Sequence, residues 1–211
     1  MKKASAIQFE LMTTDHIEEA CKIVGRSFTK EPMTESLGLS YEQVYSEFAK
    51  IVEELGPNGL STVAIDSGSG DIIGCCLNKD FTMQPMSGDD DHSDALEVFD
   101  LVDKLDETLP SLKTLKPGEM FHVYILAVDS DYCKQDIGLN LVKQAEVVAR
   151  SGHFKQMIAE VTGAISQHIF IDNCGHQEVG RINYSDFEYH GSKVFETIDS
   201  AEACLLVRKD L

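Results

Sequence analysis

The stretch LAVDSDYCKQDIGLNLV, residues 126–142, runs from an apolar strand through a polar turn into an amphipathic helix. The chemistry such a corner offers is anion binding. Amide N–H groups in the first turn of a helix have no helical acceptor, and the macrodipole favours negative charge there. A turn that curls its own amides inward adds to this, so a diphosphate can be held without a cationic side chain. Gly138 allows close approach of the backbone, Lys134 is the only cation inside the turn, and Asp136 sets a carboxylate in the same place. A purely structural turn fits the same residues.

Two further positions carry titratable groups. The run EMFHVYILAV (119–128) is the most apolar strand of the chain. Strand alternation puts residues 122, 124 and 126 on one face. His122 there either relays a proton through water or is a buried histidine bonded to its neighbours. Glu31 stands before Pro32 in the loop FTKEPMT. A loop carboxylate over an apolar cleft has its pKa raised toward the range of a base, whereas an ordinary loop glutamate is a solvated charge. Other clusters promise less. MSGDDDHSD (86–94) lacks the glycine and glutamate of a calcium loop and reads as an exposed acidic loop. Cys174 and His176 are too few for zinc, so no metal site is expected. Cys133 sits where a helix N-terminus lowers a thiol pKa, but no matched histidine makes it a nucleophile.

The elements that position these groups follow from the pattern. IQFELM (7–12) alternates as a strand. A helix follows, N-capped by Thr14 or Asp15, with Ile17, Ala20, Cys21 and Val24 at helical spacing. Pro32 forces a loop or a broken helix, and residues 41–55 form the next helix, closed by Gly56-Pro57. LSTVAID and DIIGCCLN flank SGSG as a hairpin. Residues 79–118 read as a possible insertion, with a helix whose apolar face carries Leu96, Phe99, Val102 and Leu105 or Leu109. The strand 119–128 is central in the sheet. A helix over 136–151 with Gly152 at its C-cap, a strand FKQMIAEV, a short helix ending at Gly175 and two final strands complete the chain. The sum is one α/β domain, residues 1–211, with a mixed sheet.

The 211 residues carry a net charge of −18, which argues against nucleic acid and anionic membrane surfaces as partners. Most of the six cysteines sit in apolar runs and none forms C-x-x-C, the usage of reduced intracellular thiols. MKKASAIQFEL lacks an apolar signal core and no run is long enough to span a membrane, so the expected compartment is the cytoplasm.

With these stretches in hand, the chain resembles the GCN5-related N-acetyltransferase superfamily, nearest its arylalkylamine (insect dopamine and serotonin) branch. YILAVDSDYCKQDIGLNLVKQAEVVARSGHF resembles the family's central strand, diphosphate loop and helix, with Leu126, Ala127, Val128, Asp129 and Tyr132 in frame. SFTKEPMT and HQEVGRINYSDFEYHGSKVFETI are similar to the branch's first loop and C-terminal part. The resemblance implies a mostly antiparallel mixed sheet flanked by helices, with a splayed central strand, and acetyl-CoA as co-substrate. It assigns the acyl and pantetheine contacts to the backbone of Leu126, Ala127 and Val128, and the diphosphate to Cys133, Lys134, Gln135, Asp136, Ile137 and Gly138. The family's loop positions fall on Cys133, Asp136 and Gly138, of which only Gly138 fits. A frame on Gln135, Gly138 and Asn140 fits two but misaligns the helix's apolar face (Ile137, Leu141, Ala145 and Val148). For catalysis it implies Glu31 as base. On the central strand His122 stands for one of two family histidines and Tyr124 replaces the other. Ser166 lies near the coenzyme sulfur, where the usual tyrosine position reads Ile171. The acceptor is then a small primary amine, an arylalkylamine or polyamine, acetylated directly in a ternary complex. The alternatives are a degenerate acyl-CoA-binding or interaction module and a protein N-acetyltransferase.

Overall fold

The computed structural model describes residues 2–83 and 93–211. The acidic loop expected at 86–94 lies almost entirely outside them.

The first strand, β1 (Ile7–Leu11), leads through a 3-10 turn into α1 (Ile17–Phe28). That turn is capped one residue earlier than expected, at Thr13, whose N–H donates to His16 Nδ1. The break at Pro32 is a five-residue helix, α2 (Pro32–Ser36). Then come α3 (Tyr41–Leu55) and the hairpin β2 (Thr62–Asp66) and β3 (Ile72–Asp80). Ser40 opens α3, its hydroxyl accepting from the Gln43 N–H while the Gln43 side chain accepts from the Ser40 N–H. The 79–118 segment contributes α4 (Leu96–Glu107), and β4 (Met120–Val128), α5 (Ile137–Ser151) and β5 (Gln156–Val161) follow. The next helix, α6 (Ala164–Gln167), widens into π-helical turns over His168–Asn173 before β6 (Gln177–Asn183) and β7 (Ala203–Asp210).

Among the described residues seven strands run β1-β2-β3-β4-β5-β7-β6, with β4 in the middle. Only β4 and β5 are parallel, and every other pairing is antiparallel. The parallel ladder joins Met120, Phe121 and His122 to Gln156, Met157 and Ile158 and goes no further. Beyond it the two strands diverge, so β4 is the splayed central strand. A bulge marks the same place: Leu77 opposes Ile125 and Asn78 opposes Val123, leaving Tyr124 with no opposite residue.

That bulge overturns the expected alternation. His122, Tyr124 and Leu126 do not share a face, because one extra residue inverts the parity of every residue after it. Phe121, Val123, Leu126 and Val128 pack with α5, whereas Tyr124, Ile125 and Ala127 pack with α1 and α3. A third core lies under α4, where Leu101, Leu105, Ile158, Tyr184, Phe195 and Leu206 meet. The buried face of α4 is also turned from expectation. It carries Val98, Leu101 and Leu105 rather than Leu96, Phe99 and Val102. Val98, Leu101, Val102 and Leu105 form one apolar arc of the helix, and its seat on β6 and β7 buries one side of that arc.

Candidate active site

The corner after β4 takes the form of an anion site. Asp129 N donates back to Ile73 O, and the turn then holds Lys134 and Asp136 at φ 62° and 55°, both left-handed. A position that normally wants glycine is therefore filled by Asp136, one of the few other residue types that tolerates it. This backbone geometry favours the frame on Cys133, Asp136 and Gly138. Gly138 itself is an ordinary helical residue. A Cβ there would meet Ile169 Cδ1 at 3.3 Å and Val128 Cγ2 at 3.7 Å, so its smallness keeps α5 close to β4. The first bond into α5 runs from Asn140 N to Asp136 O at 2.9 Å, leaving the Ile137, Gly138 and Leu139 amides without helical acceptors. Asp136 is the N-cap residue, yet its side chain caps nothing. Cys133 and Lys134 are exposed. Gln135 is occupied: its amide accepts from Ala4 N and donates to Lys2 O and Tyr132 O, pinning the N-terminal residues to the turn.

The divergence of β4 from β5 supplies the second feature. Alternate residues of β4 face β3, as Asp129 N does in bonding Ile73 O. The main-chain polar groups of Leu126 and Val128 therefore face the wedge, and those of Ala127 are spent on Cys75. Of the three backbone positions expected to hold an acyl chain, two are open to it.

Across the wedge, Glu31 is the N-cap of α2. Its Oε2 accepts from Met33 N at 3.0 Å and Thr34 N at 3.1 Å. Its Oε1 is shielded from solvent and makes no hydrogen bond of good geometry. Burial pushes the carboxyl above its ordinary value, against the opposing pull of the Thr162 hydroxyl and the Thr34 and Met33 amides. Pro32 packs on Gly163, where a Cβ would stand 3.4 Å from Pro32 Cγ, so Glu31 sits at the open end of β5. Ser166 reaches the same end, but its hydroxyl donates to Gly163 O at 2.9 Å and accepts from Gly163 N. Tyr184 donates to Thr162 O at 2.6 Å and closes the floor.

Deeper in the wedge, His122 Nε2 lies 2.7 Å from Glu160 Oε2, with both side chains nearly buried. The ring packs between Phe81 and Tyr124, at 5.2 and 5.3 Å. Lys79 Nζ lies 4.4 Å over the Tyr124 ring. Glu160, Lys79 and Asp106 were missed from sequence. A lone charge inside the apolar strand MIAEV was the available signal for Glu160, since a buried carboxylate needs a partner. Among the described residues no cluster of potential ligands could hold a metal ion, and no helix is long and apolar enough to cross a membrane.

No protein-family model matches the chain. Solved structures do. The C-terminal condensation domain of Ebony, in complex with beta-alanyl-dopamine, superposes with a TM-score of 0.86 at 18% identity, covering 98% of this chain and 99% of that one. Arylalkylamine N-acetyltransferase 2 from Aedes aegypti gives 0.81 at 20% identity, over 98% and 99%. A Drosophila melanogaster polyamine N-acetyltransferase that forms N-acetylagmatine gives 0.79 at 15% identity, over 98% and 100%. The chain therefore has the fold of the GCN5-related N-acetyltransferases over 98% of its length.

Proposed function

We propose that the protein is an acetyl-CoA-dependent N-acetyltransferase acting on a small, cationic primary amine. The observation that carries this is the wedge: two unpaired main-chain positions and the free amides of α5 on one side, a shielded carboxylate on the other. The amides of Ile137, Gly138 and Leu139 would hold the diphosphate, with the backbone of Lys134 and Asp136 shaping the turn and the Lys134 ammonium beside it. The Val128 amide would face the acyl oxygen and stabilise charge as it develops. Acetyl-CoA, when bound, supplies the thioester carbon that the amine attacks.

The chain's own groups handle protons and orientation. Glu31 takes one proton from the ammonium through its free Oε1, directly or through water and His122. Its Oε2 stays fixed by the Met33 and Thr34 amides, which aim the carboxyl. The second amine proton, released as the amide forms, passes to the departing sulfur, with the Ser166 hydroxyl nearest at that end. Tyr124 walls the amine face. The solved structures sharing this fold are named for a complex with a dopamine conjugate, for arylalkylamines and for N-acetylagmatine, all built on amines that are cations at neutral pH. The net charge of −18 suits that class.

The test is thiol release from acetyl-CoA with dopamine and agmatine as probes, beside calorimetry with CoA. Glu31→Gln should lower kcat by about 10²–10⁴-fold while CoA still binds. Heat with neither CoA nor acetyl-CoA would overturn the proposal. A second reading, a fold retained without catalysis, is favoured by Asp136 alone, and binding of CoA without thiol release from any amine would support it.

A further inference from the structure

Three buried polar atoms in the third core lack hydrogen-bond partners: Asp106 Oδ1, Glu160 Oε1 and His122 Nδ1. Asp106 comes from α4, Glu160 from β5 and His122 from β4, three elements far apart in the chain. An unpaired buried carboxylate oxygen destabilises the fold, and two of them close together do so more. Yet the Asp106 and Glu160 carboxyls are within hydrogen-bonding reach of each other. Two carboxylates have no hydrogen to share, whereas a carboxylic acid and a carboxylate do. One proton between them satisfies both orphaned oxygens at once.

We propose that Asp106 and Glu160 hold one proton between them, and that the pair positions His122 with Nε2 donating to Glu160 and Nδ1 left as a proton-accepting atom of the amine site. The last part rests on the acetyltransferase reading above, and the first does not. The charges around the pair are consistent. Lys79 faces it from β3, His122 from β4, and Asp103 lies on the same helix as Asp106. Cys204 on β7 is buried, and burial followed by the charges of Glu160, Glu31 and Asp106 pushes its thiol up. Burial, and then the neighbouring Glu160, raise Asp106 well above the ordinary carboxylate range. Burial acts to raise Glu160 too, but its bond to His122 holds it low. One ionised carboxylate thus remains for Lys79 and His122.

The imidazole consequence follows from valence. Glu160 Oε2 can only accept from Nε2, so Nε2 carries hydrogen and neutral His122 has its lone pair on Nδ1. A proton leaving the substrate ammonium breaks an N–H bond there and forms one at Nδ1. The resulting imidazolium keeps its bond to Glu160, and the proton then passes through water to Glu31. Asp106 neither gains nor loses a proton in the cycle, so Asp106 and Glu160 are positioning residues.

Carboxyl ¹³C and imidazole ¹⁵N spectra of the whole protein test this. One aspartate carboxyl should show the neutral signature at pH 7, lost in Asp106→Asn and kept in Asp103→Asn. His122 should show protonated Nε2 and unprotonated Nδ1. Glu160→Gln should lower kcat about tenfold or more and move the acid limb of its pH profile. If Asp106→Asn fails to fold, the wild-type spectrum decides alone through its one persistently neutral aspartate. Only ionised aspartates at pH 7, or His122 protonated at Nδ1, would overturn the proposal. A neutral Asp106 in a protein that transfers no acetyl group would keep the pair and sink the enzymatic reading instead.

Discussion

Replacing Asp136 should tighten coenzyme binding. Asp136 stands at φ 55° with a side chain that caps nothing, immediately before the amides proposed to hold a diphosphate. Each phosphate charge within about 8 Å of the carboxylate costs roughly 0.5–1 kcal/mol at an effective dielectric of about 40–80. Two such charges come to about 1–2 kcal/mol, and salt near 0.15 M, with a screening length of about 8 Å, removes roughly half. Glycine also relieves a left-handed conformation worth about 1 kcal/mol, but its freer unfolded chain returns most of that, so stability should stay within about 0.5 kcal/mol. Calorimetry with CoA should show Asp136→Gly binding about five- to thirtyfold tighter at low salt, with the gain shrinking as salt rises. Asp136→Asn keeps the left-handed tolerance and removes only the charge, so it should recover nearly the whole gain. Affinity unchanged or weakened in both variants would refute the placement of the diphosphate at this turn.

Two further outcomes follow from packing and linkage. A Cβ at Gly74 would stand 3.1 Å from both Ala127 O and Leu141 Cδ1 and 3.3 Å from Ile137 Cγ2. Gly74→Ala should therefore cost about 1–3 kcal/mol in urea unfolding and weaken CoA binding through the displaced start of α5. The raised Asp106 carboxyl retains its proton in the folded state when the unfolded chain has lost it, so the native state binds more protons between the ordinary aspartate range and about pH 9. Stability from this group falls as pH rises across that window, by at most about 1.4 kcal/mol per unit. Urea midpoints at several pH values should slope downward in the wild type and flatten in Asp106→Asn.

Much of the scaffold was legible because periodicity reports burial. The apolar run at 119–128 marks the middle strand, and Gly-rich SGSG marks the hairpin. What escaped was set by tertiary contact. Lys134 does not announce a left-handed backbone and Asp136 only tolerates one, whereas Gly138, the residue type that favours it, serves close packing. The bulge at Tyr124 has no local signature, since it arises from register against β3, and it misplaced Leu126. Asp106 looks like any exposed acid of an amphipathic helix until α4 is laid on β6 and β7. Glu31 was found through resemblance, and its cap geometry, a carboxylate ahead of a proline at the first helical position, is a pattern the sequence itself displays.

The seam between β4 and β5 is three residue pairs long. The sheet is thus two leaves, β1-β2-β3-β4 and β5-β7-β6, bound along a short spine. A molecule lodged between the leaves touches both, and its fit depends on how wide the book lies open. Affinity and the angle of the leaves are then a single quantity, and changes at the spine, remote from any ligand atom, will be felt at the page edge.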